Sequence, residues 1–221
     1  MKQTFTVRGL IIREQPVGES DKYLTIFTKE RGKLSVRARG AKNAKSKLLV
    51  AQQFAYCDFV LYQGGTNAAG FLSLTQVDLI ESFYDLRLDY DRLMTAYDVV
   101  KIVDRYMAGA LEDVTEAHES SAILFTLLKT LQALSKTYMT PKLVHSVFCL
   151  KFLQVVGLAP SLGAGILHTA YDDIPISPEV EETVMHILSK PTKEVFRFTV
   201  DSHTEHILSE LCVILLQSLE R

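Results

Sequence analysis

The sequence predicts an α+β protein in which an amino-terminal β-barrel is followed by an all-helical domain. Along the 221 residues the hydrophobic pattern changes once. Up to about residue 80, short runs rich in Val, Ile, Phe, Tyr and Thr alternate with turn residues, and beyond it apolar residues recur at helical spacing. The charge changes too: the first 50 residues hold 12 Lys/Arg and 4 Asp/Glu (+8), and the other 171 hold 12 and 22 (−10). A basic region therefore precedes an acidic one.

Five strands are expected in the first part of the chain, near residues 4–13, 22–29, 33–40, 54–63 and 70–80. Turn residues separate them, namely Pro16-Val17-Gly18, Glu30-Arg31-Gly32, Gly40 and Gly64-Gly65. Five short strands in roughly 80 residues make a small closed barrel, and the OB-fold is the commonest such barrel that binds single-stranded nucleic acid. We therefore expect an OB-fold domain at residues 1–80.

Residues 81–221 are expected to form a helical domain. Pro141 suits the first turn of a helix that ends near Val156, because Gly157 is a favourable residue just beyond a helix end. Ser177-Pro178-Glu179 is a second helix start of the same kind. The expected helices cover residues 93–107, 123–134, 141–156, 177 onward and 203–219.

The candidate functional residues are eight cations between residues 29 and 47. This stretch contains a single acid, Glu30. In a strand at 33–40 alternate side chains point to opposite faces, so Lys33, Ser35, Arg37 and Arg39 are expected to point to solvent while Leu34, Val36 and Ala38 enter the core. The loop at 41–47 adds cations among small polar residues, a composition suited to following phosphates flexibly. The predicted nucleic-acid-binding residues are Lys29, Arg31, Lys33, Arg37, Arg39, Lys42, Lys45 and Lys47.

Aromatic residues near these cations are candidates for stacking on bases. They are Tyr23, Phe27, Tyr56 and Tyr62. Strand alternation places about half of any such set in the core, so core packing is the alternative for each of them.

No set of residues predicts an enzyme, a metal site or a cofactor. Cys57, Cys149 and Cys212 lie far apart and form no C-x-x-C pair, which argues against a disulfide framework and a cysteine zinc site. The glycines do not have the spacing of a nucleotide-phosphate loop. The sequence contains neither a secretory signal nor an apolar run long enough for a membrane span, so a cytoplasmic protein without membrane partners is expected.

Short motifs follow one another in order along the first 54 residues: Gly9-Leu10-Ile11-Ile12, Gly18-Glu19-Ser20-Asp21, Leu24, Phe27-Thr28, Gly32-Lys33, Ala38-Arg39-Gly40-Ala41-Lys42, Ser46-Lys47 and Gln53-Phe54. They resemble the amino-terminal domain of the bacterial DNA repair and recombination mediator RecO. A second stretch, Lys151-Phe152-Leu153 to Gly157-Leu158-Ala159-Pro160, resembles the K-x-L-x-x-x-G-x-x-P segment of the same family's helical domain.

The resemblance implies an OB-fold, a helical domain and no enzymatic turnover. It implies binding of single- and double-stranded DNA, annealing of complementary strands, and work with RecR, sometimes RecF, to load RecA onto DNA covered by single-stranded DNA-binding protein (SSB). It also implies a location at the bacterial nucleoid. The alternative is an RNA-binding OB-fold protein of translation or RNA turnover, because cations and stacking faces alone do not distinguish the two sugars.

The chain departs from the family at one segment. Many RecO proteins carry four zinc-ligand cysteines just after the G-x-x-P segment, whereas residues 161–168 here read Ser-Leu-Gly-Ala-Gly-Ile-Leu-His. A tetrahedral zinc site cannot form there without thiolates. The zinc module is therefore expected to be absent.

Overall fold

The structure is a computed structural model that describes residues 3–64, 72–107, 116–136, 138–169 and 172–217, apart from the side chains of 116–118. The chain divides into two compact units. The first comprises Met1–Tyr84 with Met107–Leu124, and the second Asp85–Tyr106 with Phe125–Arg221. The fold class is confirmed, because a five-stranded barrel precedes a mainly helical region.

Five strands form a closed barrel in the order β1-β2-β3-β5-β4. Neighbouring strands are antiparallel except β3 and β5, which run parallel where Val36 pairs with Leu72 and Arg37 with Ser73. The strands are β1 (Gln3–Val17), β2 (Asp21–Thr28), β3 (Gly32–Ala38), β4 (Tyr56–Gln63) and β5 (Leu72–Glu81). Of the strand expected at 70–80, residues 70 and 71 lie outside the described residues.

The barrel interior is filled by alternate side chains of every strand, as the period of two requires. Leu34 and Phe5 pack against this interior from partly exposed positions. The buried members from the strands are Val7, Ile11, Leu24, Ile26, Val36, Ala38, Cys57, Phe59, Leu61, Leu72, Leu74 and Val77.

Strand β1 is longer than predicted, and the expected turn at Pro16-Val17 is wrong. Pro16 pairs with Lys22 inside the β1–β2 ladder, and the turn begins at Gly18, which has φ of +58°. Strand β1 pairs with β4 only from Gln3 to Leu10, so beyond that point it is an edge strand. Proline is tolerated at an edge because no ladder hydrogen bond is required of its nitrogen.

The second unit is organised around one helix that is buried on nearly all sides, α3 (Pro141–Val155). Pro141 in the first turn and Gly157 beyond the end are as predicted: Gly157 has φ of +75°, and Leu158 N–H donates to Leu153 C=O at 2.8 Å. At the start of the helix the Thr140 side chain accepts a hydrogen bond from the backbone N–H of Leu143. Three helices of this unit pack against α3 or one another, namely α1 (Tyr90–Tyr106), α4 (Pro178–Ser189) and α5 (Ser202–Gln217), and α2 spans Glu116–Lys136. None of the helices among the described residues has the length and apolar character that a transmembrane segment needs.

The helical region also contains a three-stranded sheet that the sequence did not predict. Strands β6 (Ser161–Gly163), β7 (Ile166–His168) and β8 (Asp173–Pro175) pair antiparallel. The loop between β6 and β7 is Ala164-Gly165, and both residues have positive φ, as a type I′ hairpin turn requires. The sheet lies in the segment for which the resemblance raised the question of zinc cysteines, and "all-helical" does not describe this domain fully.

We predict that Gly9→Ala destabilises the barrel. A Cβ at Gly9 would lie 2.6 Å from the carbonyl oxygen of Phe27 and 2.8 Å from Cγ2 of Ile26, so β1 and β2 would have to separate. Overpacking of this kind costs roughly 1–3 kcal/mol in the free energy of unfolding, measured by urea titration. Gly64→Ala is the matched control because, among the described residues, its Cβ would meet Tyr62 alone, at an ordinary contact distance of 3.6 Å. Equal stability of the two variants would contradict the close packing of β1 on β2.

Candidate nucleic-acid interface

Strand β3 presents a polar face to solvent because its other face closes the barrel. Val36 and Ala38 are fully buried in the core. Between them and before them, Ser35 is exposed and Lys33 and Arg37 are half-buried on the opposite face. Arg39 follows the end of β3 in a turn and is exposed. The structure therefore places these four residues outside the barrel, as the alternation predicts.

Arg37 does not simply extend into solvent, because it pairs with the carboxylate of Asp21 at the start of β2. Its Nη2 lies 2.8 Å and its Nε 3.1 Å from Asp21 Oδ2. The other carboxylate oxygen accepts the backbone N–H of Gly40 at 2.9 Å. These bonds, led by the Gly40 N–H, lower the pKa of Asp21, and the carboxylate raises the pKa of Arg37. Arg37 is thus partly a structural residue that holds the cationic loop.

The loop after β3 is a series of hydrogen-bonded turns, and that it follows phosphates flexibly stays a prediction. Lys42 N–H donates to Ser20 C=O at 2.9 Å, and Lys42 Nζ donates to Gly18 C=O at 3.1 Å. Ser46 then caps a short 3₁₀ helix, Lys47–Val50. Ala41 and Ala51 are fully buried in the barrel core at the two ends of this loop. Hydrophobic anchors therefore fix the backbone, and the lysines project from it.

The eight predicted cations do not form one continuous row. Lys29 and Arg31 lie in the turn between β2 and β3, and the Arg31 guanidinium stacks 4.3 Å from the ring centroid of Phe5. Seven residues of β3, about 20 Å at strand rise, separate that turn from the loop end. At the loop end the Asp21 and Ser20 contacts bring Arg37, Arg39 and Lys42 together, and Lys45 and Lys47 are exposed farther along the loop. Lys33 lies on β3 near the hairpin turn.

We call the exposed cations after β3 the loop cluster: Arg39, Lys42, Lys45 and Lys47. Within the described part of the chain, no hydrogen bond or ion pair to another side chain occupies Arg39, Lys45 or Lys47. Their charges are consequently available to an external anion. A cluster of cations on an ordered backbone, set on the outside of an OB-type barrel, is suited to contact with nucleic-acid phosphates.

All four aromatic candidates occupy outward-facing strand positions, opposite the core residues of β2 and β4. Phe27 is fully buried, so its proposed stacking on bases is excluded. Tyr23 is half-buried and is the cross-strand partner of Arg37, which places one aromatic ring beside the loop end of β3. Tyr56 and Tyr62 are half-buried on β4.

Two apolar side chains next to the loop cluster were missed by the sequence reasoning. Leu49 and Val50 are each 39% exposed on the 3₁₀ helix that Ser46 caps. Apolar groups held beside exposed cations are placed where the faces of nucleic-acid bases could contact them. The signal in the sequence is an apolar pair that directly follows Lys45-Ser46-Lys47.

In the segment without zinc cysteines, His168 Nδ1 lies within hydrogen-bond distance of Asp173 Oδ1, at 2.7 Å. Across the residues that the structure describes, no three His, Cys, Asp or Glu side chains are grouped as metal ligands. The backbone pairing of β6, β7 and β8 organises this segment instead.

Comparison with known proteins finds that the chain is similar to DNA repair proteins. A family model described as "Recombination protein O N terminal" matches residues 1–83. The DNA repair protein RecO of Acetivibrio thermocellus is 36% identical over 153 residues, which is 69% of this chain and 57% of that protein. RecO of Alkaliphilus metalliredigens is 36% identical over 156 residues (70% and 58%), and RecO of Halalkalibacterium halodurans is 30% identical over 174 residues (79% and 64%). The matches thus span less than two thirds of these relatives.

We predict that Asp21→Asn destabilises the barrel at neutral pH, because the amide cannot retain the ion pair with Arg37. The pKa of Asp21 is depressed in the folded state, so its stabilisation is present above the unfolded pKa and is lost as the pH falls through the folded value. The melting temperatures of wild type and variant should therefore differ at pH 7 and converge below about pH 4. The control is Glu19→Gln, the same loss of charge at an exposed neighbour. A difference that persists unchanged in acid would contradict the role of the carboxylate.

The absence of a zinc module is also testable. Purified protein should contain well under one zinc per chain by elemental analysis, and a chelator should leave the melting temperature unchanged. A structural zinc normally contributes directly to folding stability, so a bound metal would be revealed by both measurements. Stoichiometric zinc with a chelator-sensitive melting temperature would overturn the prediction.

Proposed function

We propose that the chain is a DNA-binding recombination mediator of DNA repair. Its similarity to DNA repair proteins named RecO supports this proposal. The observation that carries this proposal is the loop cluster: four exposed cations on an ordered loop of an OB-type barrel. Its partners in this proposal are single- and double-stranded DNA.

The proposed mechanism is electrostatic. Lysine and arginine side chains that contact phosphates displace condensed counterions, and this release supplies sequence-independent affinity. Two complementary strands held near the same cations repel each other less, so base pairing nucleates faster. Tyr23, Leu49 and Val50 add faces for bases beside the phosphate contacts.

The protein acts stoichiometrically in this proposal and catalyses no covalent reaction. Its role is to bring DNA strands together and to recruit other proteins. By analogy with the family, those proteins are RecR, in some cases RecF, and SSB, with RecA loaded onto the DNA as the outcome. The place of action would be the nucleoid of a bacterial cytoplasm.

We predict a salt-dependent affinity for single-stranded DNA that depends on the loop cluster. With about −0.7 in the slope of log affinity against log salt for each phosphate, Arg39→Gln/Lys45→Gln/Lys47→Gln should make the slope shallower by about 2. The matched control is Lys101→Gln/Lys136→Gln/Lys142→Gln, which removes three exposed cations from helices. Fluorescence anisotropy over a salt series measures both. Equal slopes for the two triple variants would contradict the assignment.

The same titration separates DNA from RNA binding. Matched DNA and RNA oligonucleotides should compete with a preference for DNA, and a clear preference for RNA would favour the alternative OB-fold function.

We further predict that the protein accelerates annealing of complementary strands without ATP, at a rate that follows protein concentration. The loop-cluster triple variant should lose the acceleration, and the helical triple variant should retain it. Stopped-flow fluorescence with labelled strands measures the rate. Wild-type protein that binds both strands but never accelerates their pairing would contradict the mediator role.

A further inference from the structure

A second cationic surface lies in the helical unit, where the backbone turns after α4. A concave surface there is lined by His186, Lys190, Lys193, Glu194 and Arg197. Two lysines, an arginine and an imidazole thus surround one carboxylate, and Lys193 Nζ lies 3.4 Å from Glu194 Oε1. We call this surface the α4 pocket.

The concentration of charge in the α4 pocket contrasts with the rest of the helical region. Residues 85–221 hold 12 Lys/Arg against 19 Asp/Glu, yet three of those 12 cations occur within residues 190–197. All three are exposed. On a solvated surface of average composition, acidic residues would be about as frequent as these cations. The local excess of cations therefore points to an anionic ligand.

A buried lysine forms hydrogen bonds with the backbone that carries these cations. Lys151 of α3 is 3% exposed, and its ammonium donates to three oxygens: Gln154 Oε1 at 2.8 Å, Leu188 C=O at 3.1 Å and Lys190 C=O at 2.6 Å. Gln154 Nε2 donates to the same Leu188 C=O at 3.1 Å. Lys151 therefore satisfies the carbonyls at the end of α4 and fixes the direction in which the chain leaves it.

The turn itself is also ordered. Glu194 N–H and Val195 N–H both donate to Pro191 C=O, and Val195 and Phe196 are buried at 1% and 7% exposure. At the wall of the pocket the His186 ring packs against Phe198 with centroids 4.9 Å apart. The pocket is thus preorganised, and binding would order only the ends of the cationic side chains.

We propose that the α4 pocket is a phosphate-binding site of the helical unit and that its ligand is the DNA backbone. Each of the five lining residues carries a charged group or an imidazole, which suits a phosphate. Arginine and lysine together supply bidentate and point-charge contacts to phosphate oxygens. This inference rests on the proposed DNA-binding function and adds a contact surface to it beyond the barrel.

The test is the salt dependence of binding to an oligo(dT) of about 60 nucleotides, several times longer than the roughly 4–16 nucleotides that one OB-fold covers. Lys193→Gln/Arg197→Gln should weaken binding and make the slope shallower by about 1.4, two phosphates at about 0.7 each. Lys101→Gln/Lys142→Gln should leave the slope unchanged. Combined with the loop-cluster triple variant, the pocket variant should reduce the slope further, by the sum of the two effects. Unchanged melting temperatures exclude misfolding.

The outcomes separate this inference from the proposed function. If the loop-cluster variant loses affinity and the pocket variant binds like wild type, the α4 pocket is not a DNA site while the barrel remains one. If wild type binds no DNA at low salt, both proposals fail. A titration with inorganic phosphate, followed through the amide NMR resonances of residues 186–198, tests whether a small phosphate-bearing ligand binds instead of DNA. Shifts of these resonances, together with a pocket variant that binds DNA like wild type, would assign the pocket to such a ligand and overturn the DNA assignment.

Discussion

Closure of the barrel is the constraint from which the candidate interface follows. A five-stranded barrel has room inside for one set of side chains, so each strand must direct alternate residues outward. On β3, Val36 and Ala38 point into the interior, so the cations that alternate with them lie on the outer face. The parallel pairing of Val36 with Leu72 completes the closure and fixes that orientation. The position of the cations is thus a consequence of packing, before any ligand is considered.

A carboxylate then determines how the loop cations are displayed. Asp21 binds both the Arg37 guanidinium and the Gly40 N–H, so it ties the start of β2 to the beginning of the loop. One of the predicted DNA-binding cations is thereby largely neutralised, while its neighbours in the loop are held outward. The same arrangement recurs with opposite sign in the helical unit, where the buried ammonium of Lys151 binds carbonyls and directs the cations of the α4 pocket outward. In both places a buried or half-buried polar group orders the backbone that carries exposed charge.

The parts of this architecture that follow local rules could be predicted from the sequence. Strand alternation predicted the outward face of β3, and Pro141 and Ser177-Pro178 marked helix starts that the structure retains. Contacts between distant residues could not be predicted, because they depend on strand register: the Asp21–Arg37 pair exists only through the pairing of β2 with β3. Strands of three residues, such as β6 to β8, are too short to show a period. Phe27 was a candidate for stacking on bases because the local sequence does not reveal that its outward-facing side chain is buried.

The central claim is that the exposed lysines after β3 contact the DNA backbone, and lysine footprinting tests it most directly. Acetylation of each lysine is measured by mass spectrometry with and without single-stranded DNA at low salt. The account predicts strong protection of Lys42, Lys45 and Lys47 by DNA, with Lys101 and Lys136 on helices reacting equally in both states. Protection absent from Lys42, Lys45 and Lys47, under conditions in which the DNA is bound, would contradict it.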